Sequence, residues 1–269
     1  RFHYPGFGVG SFMFANIAAQ IVGYYLLALI GLTLGWGHLR LRRWARPLTL
    51  ALLGWWLIAG IPMLPAVFFI LAASKDLTLA AGLAADILLV VSYAVVPALL
   101  IRFYRSRHVV HTFEAHDAGI SWIDRTPVSV LMLAALGVFG LVALHIALLL
   151  NGVFPLFGRF VYGMNGVQWL AGASVCLAIL VFGVLRRWLW AWWGMLIYTA
   201  LMACSTVWSL AATRFADLLV GLAFPAREME MLGGLPFGGY HLAALVGLPL
   251  LLTLGLIMAT RRHFTAARA

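Results

Sequence analysis

Seven apolar runs, near positions 11–37, 47–72, 77–101, 128–150, 167–184, 189–212 and 241–260, leave this chain few folds to choose from. Each is close to the ~20 residues that carry a helix across a ~30 Å hydrocarbon core. Lipid offers no hydrogen bonds to a backbone, so spanning segments are helices or closed barrels. These runs are long and continuous, unlike the alternations of about ten residues that build a barrel, and they select helices. Composition agrees, with 64% hydrophobic and 10% charged residues, where a soluble domain carries about a quarter charged. The expected fold is all-α: a polytopic transmembrane helical bundle of seven spans.

Arginine placement orients the spans. The connections at 38–46, 102–127 and 185–188 and the C-terminal tail hold 13 of the 18 basic residues, including Arg42, Arg43, Arg186 and Arg187. Only Arg1, Lys75, Arg159, Arg214 and Arg227 fall on the other side, nearly balanced by Asp76, Asp217, Glu228 and Glu230. The bias alternates at every span, so the arginine-rich side is expected to be cytoplasmic, with Arg1 outside, in a plasma membrane of the bacterial inner-membrane kind. The net charge of +10 then belongs to lipid phosphates and topology, chiefly through Arg42, Arg43, Arg186 and Arg187, and not to nucleic acid. Three regions follow: a first membrane half over 1–101, a connecting loop with an interfacial helix over 102–127, and a second half over 128–269.

Leu41-Arg42-Arg43-Trp44 recurs as Leu185-Arg186-Arg187-Trp188, each at an inner turn between two spans. Arg1-Phe2-His3-Tyr4 is echoed by Arg159-Phe160-Val161-Tyr162 before the same spans. A 4+4 duplication whose first helix precedes residue 1 accounts for both; chance matches in a chain rich in Leu, Arg and Trp account for them equally well.

Two further stretches have helical periodicity at the membrane surface. Val109, Val110 and Phe113 share one face of 104–115, and Phe215, Leu218, Leu219 and Leu222 line up until Pro225. Gly31 and Gly35 form a GxxxG, and Ala80, Ala81, Gly82, Ala84 and Ala85 smooth span three for close helix approach. Pro62 and Pro65 are expected to kink span two, and Pro97 span three. Cys176 and Cys204 fit buried free thiols, and Trp188, Trp190, Trp192 and Trp193 an interfacial belt.

No nucleophile triad, HExxH, Walker or dinucleotide motif is present, and the chain is not expected to be an enzyme. His108, His111, Glu114, His116 and Asp117 form the densest ligand-like cluster, but adjacent arginines oppose a cation there and a solvated helix is the simpler account. Asp86 is the most informative residue, roughly 13–15 Å below the outer surface at 1.5 Å per residue. A charge at that depth needs a partner. His145, Asn16, Gln20, His241 and the hydroxyls of Ser205, Thr206 and Ser209 reach similar depth from the same side. The group reads either as helix-joining hydrogen bonds or as an outward-side polar pocket. His38, His145 and His241 are the residues a haem or chlorophyll would need, although the sequence requires no cofactor. The expected function is a non-enzymatic subunit or scaffold of a larger membrane complex, contacting lipids and other subunits. The alternative is a small-molecule or proton-coupled transporter working through Asp86.

Overall fold

The computed structural model describes residues 10–61, 64–65, 79–234 and 238–265. Its helices are α1 (Phe12–Leu39), α2 (Ala45–Gly60), α3 (Leu79–Val90), α4 (Val96–Tyr104), α5 (Arg107–His116), α6 (Val128–Leu149), α7 (Gly163–Leu185), α8 (Leu189–Ala212), α9 (Phe215–Leu222), α10 (Ala226–Gly233), α11 (Gly239–Thr260) and α12 (Arg262–Thr265). Strands β1 (Phe154–Leu156) and β2 (Arg159–Val161) pair between α6 and α7. Six helical stretches among the described residues are long and apolar enough to cross a membrane: α1, the α3–α4 run, α6, α7, α8 and α11. These make the chain an integral membrane protein built of helices. Helix α2 is apolar but shorter, and the far part of the expected second span lies outside the described residues, as do Pro62, Lys75 and the Arg1–Tyr4 echo.

The core is a bundle of α6, α7, α8 and α11, with α2 packed on α6 and α4. Val130, Leu133 and Ala134 of α6 meet Leu177, Val181 and Val184 of α7 and Met195 of α8. Close approach of α6 to α7 depends on glycine, because a Cβ on Gly137 would collide with Val181 and one on Gly140 would lie 3.2 Å from Leu177. Trp192 leaves the expected belt: it is buried, and its Nε1 donates to Ile257 O at 2.7 Å, joining α8 to α11. Arg261 stands 5.7 Å above the same ring. Cys176 and Cys204 are also not where expected, because both free thiols lie on the outer faces of their helices.

The two arginine-bearing turns are alike in a way the tetrapeptide match misplaces. In the α1–α2 turn, Leu41 N–H donates to His38 O and Arg42 N–H to Gly37 O, with Leu41 left-handed at φ 47°. In the α7–α8 turn, Arg187 N–H donates to Val184 O and Trp188 N–H to Gly183 O, with Arg187 at φ 55°. This paired closure of a helix end is a Schellman motif in both. It superposes Leu41 on Arg187, not on Leu185, so the identical LRRW strings stand two positions out of step. In the geometric register, Gly37, Leu39, Arg40, Trp44 and Ala45 match Gly183, Leu185, Arg186, Trp190 and Ala191. The match has a steric cause: a Cβ on Gly37 would press on Ala45 and Trp44, and one on Gly183 on Ala191 and Trp190.

At Pro97, where a kink is expected, the structure shows a local widening of span three. Having no N–H, Pro97 cannot bond the carbonyl one turn back, and Val91–Val95 form a π-helical turn before α4 resumes. At the opposite end of the bundle, β1 and β2 were not foreseen. Phe157 (φ 40°) and Gly158 (φ 92°) make the two-residue turn with positive φ at both positions that suits a hairpin. The apolar face of α9 turns onto the protein: Leu218, Leu219 and Leu222 cover the bundle end together with Phe224 and Leu232, against Leu150, Val153 and Phe160.

Candidate functional site

Serines of α8 hold the hairpin. Ser205 Oγ accepts from Phe157 N–H at 3.0 Å and donates to Pro155 O at 2.8 Å. One turn on, Ser209 Oγ accepts from Gly158 N–H at 3.1 Å and donates to Arg159 O at 2.9 Å. Each hydroxyl thus satisfies a donor and an acceptor on a backbone that has short ladders and little else to bond. These hydroxyls belong to the hairpin and do not reach for Asp86.

The remaining members of the expected pocket are spread out. Gln20 Nε2 donates to Asn16 Oδ1 at 2.9 Å along α1, on an exposed face. His145 is exposed and its Nδ1 bonds Leu141 O within α6 at 2.7 Å. His241 accepts from Gly238 N–H at 3.0 Å and closes the start of α11. Asp86 is half-buried on α3, and no hydrogen bond or ion pair joins it to another described residue. None of the described contacts between elements covers α3 beyond its own continuation to any great extent. The Asp86 carboxyl therefore stands on a long apolar helix without a described partner.

At the arginine-rich end the connecting loop folds back on the α1–α2 turn. Phe113 of α5 is buried, and its ring meets His38 edge-to-face at 5.7 Å, with Tyr104 on the same imidazole at 5.4 Å. His38 Nδ1 donates to Leu34 O at 2.7 Å, and Nε2 lies 3.4 Å from Thr49 Oγ1. Asp117 then locks the fold: its carboxylate accepts from Arg43 N–H at 3.1 Å and Gly119 N–H at 3.1 Å, with Arg42 3.8 Å away. Glu114 adds a bond from Arg43 Nη2 at 3.2 Å. His108, His111 and His116 face outward, His116 bonding Thr112 O of its own helix. Among the described residues no group of three His, Cys, Asp or Glu side chains is placed to hold a metal. The charged face of α5 is solvated, and its apolar face is spent on the protein.

The Arg43 and Gly119 amides, aided by the two nearby guanidinium groups, hold the Asp117 carboxyl below its ordinary 3.8. A depressed acid stabilises the fold fully above its unfolded value and loses that contribution as pH falls through the folded one. Acid is therefore expected to release the loop below pH 3.8. Hydrogen exchange at the Arg43 and Gly119 amides, corrected for intrinsic rate, should rise there, and Asp117→Ala should give the same rise at neutral pH. Protection unchanged in the variant would show that Phe113 alone seats the loop.

Between α7, α8 and the hairpin lies an apolar groove of about 640 Å³, with Trp169 and Phe154 stacked along one wall. Tyr198 donates to Ala173 O across it at 3.2 Å. No apolar run or motif marks this groove in the sequence, because the hairpin that borders it is built from backbone pairing. Comparison with family models, with curated proteins and with solved structures finds no match.

Proposed function

We propose that the chain is a non-enzymatic membrane subunit whose first half presents an open helix surface to another membrane-spanning segment. One observation carries this reading. In the most apolar window of α1 none of the residues is buried, and in that of the α3–α4 run 6%, against 22–33% in the four helices of the core. The α1 face also has the character of a helix-packing surface: a Cβ added at Gly23, Gly31 or Gly35 would meet nothing within 4 Å. Asp86 stands on the second open helix, and an ionisable group at that depth is costly unless something answers it.

The shared turn geometry supports an internal duplication and says what the missing contact would resemble. In that register Gly31 and Gly35 of α1 match Leu177 and Val181 of α7, the residues that α6 covers through Gly140 and Gly137. The second half puts branched side chains on one helix against glycines on the other. The first half has the glycines, and no side chain lies within 4 Å of a Cβ built on Gly31 or Gly35 among the described residues. Purification in mild detergent is expected to bring down a stoichiometric membrane protein, and Gly31→Ile with Gly35→Ile to lose it while the chain stays folded. A lone monodisperse monomer from native membranes would overturn the proposal.

A proton-coupled or small-molecule transporter is the second reading, favoured by the π-helical turn at Val91–Val95 that lies one turn beyond Asp86. Such turns widen the helix and mark places where it rearranges. Proton-driven uptake into vesicles, abolished by Asp86→Asn in a folded protein, would support it over the subunit reading.

A further inference from the structure

The folded-back loop borders a second, half-open cavity of about 390 Å³ between the start of α2, α5 and the start of α6. Arg43, Arg46 and Arg125 line it together with Glu114, Asp124 and Thr126. The carboxylates do not neutralise all three guanidinium groups. Glu114 takes a bond from Arg43 and lies 3.9 Å from His111 Nδ1 on its other oxygen. Asp124 Oδ2 accepts from Ser121 N–H at 2.9 Å and from Ser121 Oγ at 2.6 Å. Arg46 Nε donates to Tyr104 O at 2.8 Å, which fixes the plane of the half-buried guanidinium. Its two terminal nitrogens make no hydrogen bond to a described residue, and neither does the side chain of Arg125. Arg46 thus has both terminal nitrogens without a hydrogen bond to a described residue, although the Glu114 charge acts on it, and it shares the cavity lining with Arg125. Guanidinium forks of this kind bind tetrahedral oxyanions in two-pronged fashion. The volume lies in the range of small-molecule sites, enough for one phosphoryl group and part of what it is attached to.

We propose that this cavity is a phosphoryl-group site, with Arg46 and Arg125 as its two anchors. Its place at the end of α2 and α6 suits either a lipid headgroup entering from the bilayer surface or a soluble phosphate compound. Glu114 is the competing anion: it takes a bond from Arg43, its charge also acts on Arg46, and both weaken the site. This assignment is independent of the subunit reading, because it depends on the loop and not on the open faces of α1 and α3.

The test is a titration of the detergent-purified full chain with short-chain phosphatidic acid, followed by native mass spectrometry, and with inorganic phosphate, followed by phosphorus NMR. Arg46→Gln and Arg125→Gln are each expected to weaken binding about tenfold or more. Glu114→Gln is expected to strengthen it by freeing Arg43, while Arg159→Gln at the opposite end should change nothing. Retention of phosphatidic acid that inorganic phosphate does not displace identifies a lipid headgroup. Displacement by inorganic phosphate identifies a soluble source. Equal binding in wild type, Arg125→Gln and Glu114→Gln would overturn the site even if Arg46→Gln fails to fold, as would absence of binding to both probes.

Discussion

Gly166→Ala is expected to destabilise the protein by on the order of 3 kcal/mol or more, an effect at the upper end for one added methyl group. The new Cβ would fall on the carbonyl oxygen of Gly152, with Val161 O 3.0 Å away on the other side. Neither backbone can retreat easily. Gly163 N–H donates to Asn151 O at 2.7 Å, and Asn151 and Gly152 both sit at positive φ, 54° and 59°. Relief requires the first turn of α7 to unwind, which also pulls on β2 and on the serine latches of α8. Gly172→Ala on the same helix is the control, since nothing lies within 4 Å of its would-be Cβ. It should be neutral or slightly stabilising through helix propensity. Thermal unfolding in detergent distinguishes the two; equal melting would mean that Gly166 and Gly152 are not in contact.

Glu228→Ala is the second large change, with an expected loss of about 2–3 kcal/mol from two charge-assisted bonds. The buried Glu228 carboxylate accepts from Phe12 N–H at 2.7 Å and Met13 N–H at 3.2 Å. Ser11 Oγ takes the Phe14 N–H at 3.1 Å. Together these satisfy the first amides of α1, where the helix dipole also favours an anion. The bond is the tether of a helix that the rest of the chain barely covers, so its loss should free the beginning of α1 and leave the α6–α7–α8–α11 core in place. Hydrogen exchange resolved by segment reads this directly. Glu228→Gln keeps one acceptor oxygen and should fall between wild type and Glu228→Ala. Uniform deprotection across the molecule would show that α1 is folded into the same cooperative unit as the core.

The tether was invisible in the sequence for an identifiable reason. Glu228 and Phe12 are far apart in the chain, and nothing in ARE at 226–228 differs from a solvated surface turn. By sequence Glu228 is only one of four acids, with Asp76, Asp217 and Glu230, that nearly balance the basic residues of the outer side. The sequence groups the α8 serines with Asp86, yet the partners of Ser205 and Ser209 are backbone atoms of the hairpin, which leave no trace in side-chain patterns. Asp86 shows the opposite case. Its place in a long apolar run is plain from the sequence, but whether a neighbour answers it depends on which helices touch, and α3 is the one least covered apart from α1. The apolar face of α5 was legible as Val109, Val110 and Phe113; that it seats on His38 and not in lipid was not.

The sequence by itself determined the long apolar helices, since lipid bonds no backbone and runs of membrane length impose helices; the β1–β2 hairpin and the π-helical turn it did not show. The ends of the six long apolar helices fall within a few residues of the runs read from the sequence, whereas α2 stops at Gly60, well short of the expected 72. The tertiary structure alone decided which helix faces are covered. In lipid, apolar surface is no more favourable buried than exposed, so hydrophobicity carries no information about neighbours. What selects them is shape, as at Gly137 against Val181, and single polar bonds such as Trp192 to Ile257 O. Both are properties of pairs of residues far apart in the chain, and a linear pattern does not record them.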